Sequence, residues 1–429
     1  MLGISFLVFF VGLILALPMC VSMGLACYMP NLINSSFMAD ASYIATAIVG
    51  GLNTTPILAV PLFMLSGILM TKGQIAKRLF DVFSLIAGTK TAGLPCAVII
   101  TCLFYGAISG SGPATAAAVG AMTIPILVEL GYDKVWAGTL VATAGGLGVI
   151  IPPSIPFIMY GLMTGVSVGD MFIGGIIPGC LIALCLCLCA VLYCKKNGED
   201  REKITANYQK LKDKGAIHVL RESFWALLTP VIILGSIYGG FCTPTDAAAI
   251  SVFYALIVTL FVYRTIRVKD IPKLLCEAVA AYAPIAILIA IATAFMRVLV
   301  FLKAANMIQE LIMSMNLNRV TFLLILNLIL LFIGMVMECG SAVTILSPLL
   351  LPVAEALGIN GVHLGMVMIV NMAIGFVTPP FGLNLFVTAP MIKAPVIELG
   401  KKAMPMIGFF MIALLLITFV PWFTMALIS

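Results

Sequence analysis

One set of helix-breaking residues is written twice in this chain, each member 227 positions after its counterpart (125 to 352). Pro125, Gly131, Gly138, Gly148, Pro152 and Pro153 recur as Pro352, Gly358, Gly365, Gly375, Pro379 and Pro380. The surroundings agree as well: Ile124-Pro125-Ile126-Leu127 answers Leu351-Pro352-Val353-Ala354, and 150–154 answers 377–381. An internal repeat of this kind must be read before any local element, because it forces two copies of one arrangement into the fold.

Hydrophobic residues make up 62% of the 429 positions, charged residues 9%, and the mean hydropathy is +1.20. A soluble domain carries about a quarter charged residues, so the composition implies an all-α polytopic membrane protein built on the repeat. The apolar N-terminus from Leu2 lacks a basic leader and a small-residue cleavage site, and reads as a retained first helix. The net charge of +6 comes from loop Lys and Arg without an aromatic-studded patch, so nucleic acid is not an expected partner. Cys185, Cys187 and Cys189 alternate along one apolar helix with neither histidine near, which suits buried thiols better than a metal site.

The apolar runs predict helices at about 2–27 and 54–71, then an amphipathic piece from Lys72 to Lys90. Residues 92–131 read as two apolar arms joined by a Ser/Gly tip at 109–112. Each arm falls short of the ~20 residues of a full span, which favours a re-entrant hairpin over two crossings. A helix over 135–165 is broken at Pro152-Pro153, and a plain span covers 170–193. These make the first repeat, 1–194. A polar stretch from Lys195 to Glu222, read as a solvated loop, and a linking helix at 223–241 occupy 195–245. The second repeat, 246–429, has helices at 246–263 and 281–299 and an amphipathic piece at 300–318. A hairpin at 320–358 follows, with its tip at Glu338 to Ser341, then a broken helix at 362–392 and a last span at 403–427.

Charge fixes an expected orientation. With nine spans and two hairpins, all but three of the 23 Lys and Arg (Arg297, Lys303 and Arg319) fall at ends on one side. The positive-inside rule makes that side cytoplasmic, with the N-terminus inside and the two halves inverted relative to one another. Inverted repeats with hairpins and broken helices are the build of a secondary transporter. Interrupted backbone at membrane depth persists only where it lines protein or a wet cavity. There it offers half-helix N-termini to anions and free carbonyls to cations.

Candidate sodium ligands are therefore Ser109, Ser111, Gly112, Thr115, Gly148 and Pro152 in the first copy, with Gly145 beside them. Gly340, Thr344, Thr378 and Pro379 are their counterparts in the second. Candidate substrate contacts are Ser109, Gly112, Pro113, Pro153, Ser154, Gly340, Ser341, Pro380 and Asn384. No cofactor beyond a sodium ion is expected. Glu338 at the second tip is an acid at membrane depth, read first as a helix cap and second as a cation or proton carrier. Asp246 after Pro244 reads as a cap, and His363 as an interfacial side chain. Gly-Ser-Gly at 110–112 lacks the Lys-Ser/Thr of a phosphate loop, and no catalytic triad spacing is present, so an enzyme is not expected.

Ile108-Ser-Gly-Ser-Gly-Pro-Ala-Thr115, the break at 150–154, Thr243-Pro-Thr-Asp-Ala-Ala-Ala249 and Thr378-Pro-Pro-Phe-Gly-Leu-Asn384 resemble the large membrane subunit of tripartite ATP-independent periplasmic (TRAP) transporters. The resemblance spans essentially the whole chain. It implies a sodium-coupled importer of organic acids in the bacterial inner membrane, working by an elevator movement. It also implies a periplasmic substrate-binding protein and a small four-helix membrane subunit as partners. Many members of that family carry Asp near the position of Thr115 and Glu at that of Asp246. The alternative is a standalone ion-coupled divalent-anion symporter with the same architecture and no binding protein; a channel or membrane scaffold would leave the duplicated breakers unexplained.

Overall fold

The computed structural model describes residues 1–213, 215–314, 318–379 and 381–428, and their regular structure is helical. The first predicted helix is two. Helix α1 (Leu2–Ile14) ends before Ala16, which has φ 57°, and α2 (Met19–Ile33) starts after Pro18. Proline has no amide to donate and pushes the residue before it out of the helical region, so together with the positive φ at Ala16 it separates the two helices at 15–18. Helix α2 packs back against α1. A third helix, α3 (Ala41–Leu52), was absent from the sequence reading. Its N-cap is Asp40, whose carboxylate accepts the Tyr43 amide at 2.7 Å.

Helices α4 (Ala59–Lys72) and α5 (Ile75–Ala87) lead to the first pair of arms, α6 (Gly93–Ser109) and α7 (Gly112–Glu129). The turn between the arms is two residues long. Gly110 caps α6 at φ 62°, where a side chain would be strained, and Ser111 is extended with Pro113 in the first turn of α7. The broken helix follows as α8 (Lys134–Gly145) and α9 (Ile155–Thr164), separated by a turn of 3-10 helix and the two prolines. Short α10 (Val168–Gly174) and long α11 (Ile176–Asn197) complete the first half.

The polar linker is more ordered than a solvated loop. Helix α12 (Arg201–Asp213) runs through it with Ile204 and Leu211 buried, and it packs on α5. Helix α13 (Ala216–Tyr238) begins inside the same stretch, and α14 (Pro244–Ile257) is capped by Thr243 rather than by Asp246, which stands at the third helical position. Thr243 and Asp246 form a reciprocal capping box: the Thr243 hydroxyl accepts the Asp246 amide at 3.2 Å, and Asp246 accepts the Thr243 amide at 3.1 Å. Helix α15 is longer than predicted (Ile271–Phe301), and α16 (Ala304–Ser314) follows. The second pair of arms is α17 (Arg319–Val336) and α18 (Cys339–Ala356), and the second broken helix is α19 (Gly361–Gly375) and α20 (Leu383–Ile392). The last long helix, α21 (Val396–Phe419), starts seven residues before the predicted 403 and is followed by α22 (Trp422–Met425).

Among the described residues, nine helical stretches are long and apolar enough to cross a bilayer. Three of them (α7, α17 and α18) are arms expected to fall short of a span, so their length does not by itself separate a hairpin from two crossings. The centre of the molecule is formed by α8 and α19. Both are largely apolar, and both are buried along nearly their whole length, with Thr139, Thr143, His363 and Asn371 their buried polar side chains. They meet at their breaks: a Cβ placed on Gly146 would lie 3.3 Å from the Ala373 carbonyl.

Each arm-to-break contact is made by a pair of glycines. A Cβ on Gly106 of α6 would lie 2.8 Å from the Gly148 Cα. In the second copy, a Cβ on Gly375 would lie 2.6 Å from the Gly334 Cα of α17. Backbone therefore touches backbone at matching places in the two repeats, which is the packing that small residues permit between membrane helices.

Candidate functional site

The first tip and the first break form one cluster of oxygen atoms. The Ser109 and Thr115 hydroxyls are 2.7 Å apart. Thr115 Oγ1 donates to the Ser111 carbonyl at 2.8 Å, and Ser109 Oγ reaches the same carbonyl at 3.3 Å. Gly148 closes the cluster from below, because a Cβ there would collide with Thr115 Oγ1 and with the Ser111 carbonyl. Ser154 turns its hydroxyl onto the Val149 carbonyl at 2.7 Å, and the Ile155 amide donates to the Gly110 carbonyl at 3.3 Å, tying the break to the tip. Thr115 and Ser154 are fully buried and Ser109 nearly so. Hydroxyl and carbonyl oxygens held this close are a donor set suited to a hard monovalent cation, without a charged side chain in the apolar layer.

The second copy repeats the back-bond that Thr115 makes four residues up the chain, but among the described residues no serine hydroxyl pairs with Thr344 as Ser109 pairs with Thr115. Thr344 donates to Gly340 at 2.7 Å and Thr378 donates to Ile374 at 2.8 Å, each hydroxyl turning back on its own helix. Gly340 is covered by Met159 of the first repeat, and a Cβ there would meet the Met159 Sδ at 2.6 Å. Asn384 crosses between repeats, its Nδ2 donating to the Ala142 carbonyl at 2.9 Å while its buried Oδ1 has no partner among the described residues. Pro379 lies at the second break against Gly400. Pro380 falls outside the described residues.

A cavity of about 300 Å³ lies between the two tips. That volume sits at the small end of ligand pockets, which run from about 300 to 1,000 Å³. Ser109, Gly110 and Ser111 line it from the first tip and Glu338 from the second. Of the residues expected to contact substrate, Ser109 lines the cavity. Gly112, Pro153, Ser154, Gly340 and Asn384 are buried in the packing around it, and Pro113 and Ser341 are half-buried. Glu338 is both a cap and a cavity residue: its Oε2 accepts the Ser341 amide at 2.9 Å and the Ser341 hydroxyl at 3.3 Å, while the side chain faces the cavity.

Helices read only as spans supply the remaining wall. Gly67 and Thr71 of α4 and Ala281 and Ile285 of α15 line the cavity, and a Cβ on Gly67 would lie 3.3 Å from the Ser109 Cα. The small Gly67 and polar Thr71 in an otherwise apolar α4 were the available signal for this wall, whereas Ser66 turns to the Ser251 carbonyl of α14. His363 is a correction. It is buried rather than interfacial, with Nδ1 2.8 Å from the Thr424 hydroxyl and Nε2 3.1 Å from the Thr418 carbonyl.

Duplicated arms and broken helices around a cavity shared by both tips define a multi-pass membrane protein with a central substrate-sized site. Residues 6–423 match the family model for the tripartite ATP-independent periplasmic transporter, DctM component, and the chain belongs to that family. Similar proteins include the isethionate TRAP transporter permease protein DctMQ of Oleidesulfovibrio alaskensis, 39% identical over 98% of this chain. The chain spans 65% of that relative's length. The C4-dicarboxylate TRAP transporter large permease protein DctM of Pseudomonas aeruginosa is 38% identical over 86% of each chain. The sialic acid TRAP transporter large permease protein SiaM of Vibrio cholerae is 33% identical over 90% of this chain and 89% of its own. These relatives are transporter permease subunits, not enzymes. Two solved structures share the fold: Alcanivorax borkumensis YdaH (TM-score 0.62, 15% identity, 89% of each chain) and Neisseria gonorrhoeae MtrF (TM-score 0.63, 14% identity, 93% of each chain).

Proposed function

We propose that this chain is the translocating subunit of a sodium-coupled importer of an organic acid in the bacterial inner membrane. The carboxylate is handed over by a periplasmic binding protein, and a small four-helix subunit completes the membrane complex. The observation that carries the reading is the oxygen cluster of Ser109, Ser111 and Thr115 against Gly148, directly beside a cavity that both tips line. Sodium held there would fix the first tip against the break and so complete the cavity wall only when the ion is present. The hairpins are re-entrant in this reading, the two repeats are inverted, the N-terminus is cytoplasmic, and the tip-bearing domain moves as an elevator. The relatives named for isethionate, C4-dicarboxylates and sialic acid set the range of cargo: small acids.

The test is uptake by the reconstituted complex under an inward sodium gradient, with choline as the replacement cation. Thr115→Val removes one hydroxyl ligand while keeping shape, and is expected to raise the sodium concentration for half-maximal uptake by about 10-fold, the equivalent of ~1.4 kcal/mol. Ser111→Ala leaves the participating carbonyl in place and is expected to stay within a few-fold of wild type. Uptake indifferent to sodium would refute the reading, and uptake without any binding protein would identify a standalone symporter instead.

A further inference from the structure

Two more cavities continue from the central one toward the basic ends of the helices. The first, about 650 Å³, lies between the α4–α5 junction and α7, and it shares Thr71 and Ala114 with the central cavity. The second, about 450 Å³, shares Lys77 with the first and is enclosed by α5, the far half of α7 and the linker helix α12. The three therefore adjoin in sequence, from the first tip to the surface covered by α12.

The wall that α7 contributes has a regular composition. Ala114, Ala118 and Ala121 follow at helical spacing and face the cleft, while Thr115, Val119 and Thr123 on the other side of the same helix are buried. Ala117 belongs to the same wall, so four of the five α7 residues lining the cleft carry a single methyl and keep that wall low, with Met122 its one long side chain. Thr71, Gln74 and Lys77 face them from the opposite wall and supply polar groups along its length. At the far end, Lys77, Lys203 and Lys210 stand against Asp81 and Glu129, an excess of one positive charge, so an anion arriving there meets no net repulsion.

We propose that cargo released from the central cavity leaves through this alanine-walled cleft and emerges beneath α12, which roofs the exit. This rests on the importer reading above and on the basic ends being cytoplasmic. Residues 201–213 then serve as the outer wall of a release route, a role that a solvated connection would not have.

The route can be probed without knowing the cargo. Ala118→Cys and Ala121→Cys are introduced singly, with Val119→Cys on the buried face as the control. The membrane complex is exposed to the anionic thiol reagent 2-sulfonatoethyl methanethiosulfonate in inside-out and right-side-out vesicles, and peptide mass spectrometry reads modification at each introduced thiol. In inside-out vesicles the two cleft positions should react at least ~10-fold faster than Val119→Cys, and faster than in right-side-out vesicles. Equal rates at all three positions, or faster reaction in right-side-out vesicles, would overturn the route. Labelling needs neither sodium nor cargo, so its outcome is separate from that of the coupling experiment. As a second measurement, Ala121→Trp should cut uptake more than ~10-fold while keeping the sodium-dependent rise in melting temperature, and Ala121→Ser should transport normally. Unchanged uptake by Ala121→Trp would also overturn the proposal.

Discussion

Replacing Gly106 by alanine tests whether the arm-to-break contact is set by backbone. The added Cβ would stand 2.8 Å from the Gly148 Cα and 3.2 Å from its nitrogen. Non-bonded carbons settle at about 3.5–4.0 Å, so the arm must retreat by roughly 0.7–1.2 Å, and no flexible side chain can yield in its place. Overpacking of this kind costs about 1–3 kcal/mol. Alanine in a helix interior returns about 0.5–1 kcal/mol relative to glycine, leaving a net loss of roughly 0.5–2 kcal/mol. The same retreat carries Ser109, three residues further along α6, away from Gly148 and loosens the oxygen cluster. Gly106→Ala should therefore melt earlier in detergent and need about 10-fold more sodium for half-maximal uptake. Gly375→Ala should behave alike in stability, because its Cβ would meet the Gly334 backbone at 2.5 and 2.6 Å. Gly235→Ala is the control: it is an exposed position inside α13 with nothing within 4 Å, so it gains the helix propensity without the collision. Melting curves followed by size-exclusion chromatography after heating decide the matter. If Gly106→Ala and Gly235→Ala melt together and share one sodium dependence, the reasoning is refuted.

Glu338→Ala should lose the cap on Ser341 and about 1 kcal/mol of stability, whereas Glu338→Gln keeps an acceptor oxygen and should melt with wild type; the same heating assay reads both. Asp133 caps Trp136 at 2.7 Å and pairs with Lys402 at 2.6 Å. Its partial burial pushes the carboxyl up, but the Lys402 ammonium and the Trp136 amide outweigh that and hold it below the usual aspartate range. A depressed pKa contributes stability that is full above the unfolded value of about 3.9 and is lost as pH falls through the lower folded value. Asp133→Asn should therefore melt slightly below wild type at pH 6, and the difference should shrink as the pH falls below the unfolded value of about 3.9.

Much of the architecture was legible because it rests on residues that break helices. Pro152, Pro153 and Gly148 announce the first break and Gly110 announces the tip through local backbone preferences, although Pro125 and Pro352 of the same repeated set sit inside the continuous helices α7 and α18. The Thr243–Asp246 cap was legible for the same reason, since its partners lie three residues apart. What escaped depended on residues far apart in the chain. Thr71 and Gly67 become cavity wall because α4 packs on α6; their small and polar character marks a face of α4 but does not say that its partner is the tip. His363 was misplaced because its partners, Thr418 and Thr424, arrive from the last two helices. The break between α1 and α2 was readable from Pro18 but was hidden by the apolar run on either side. Helix α12 was masked by its charges, since its two buried side chains, Ile204 and Leu211, are seven residues apart.

The glycine pairs also explain why the two halves could grow apart in chemistry while remaining alike in shape. Seven residues before Gly334 and four before Gly375, Asn327 and Asn371 pair their amides at 2.7 Å in a buried contact. At the same distances from Gly106 and Gly148 stand Ile99 and Ala144, both buried and apolar. A junction held by main chain does not depend on what the neighbouring side chains are, so a duplicated segment can exchange isoleucine for asparagine without losing its alignment. Where the main chain keeps the register the side chains are free to differ, whereas at Gly148 and Gly375 a single extra carbon would force two helices apart.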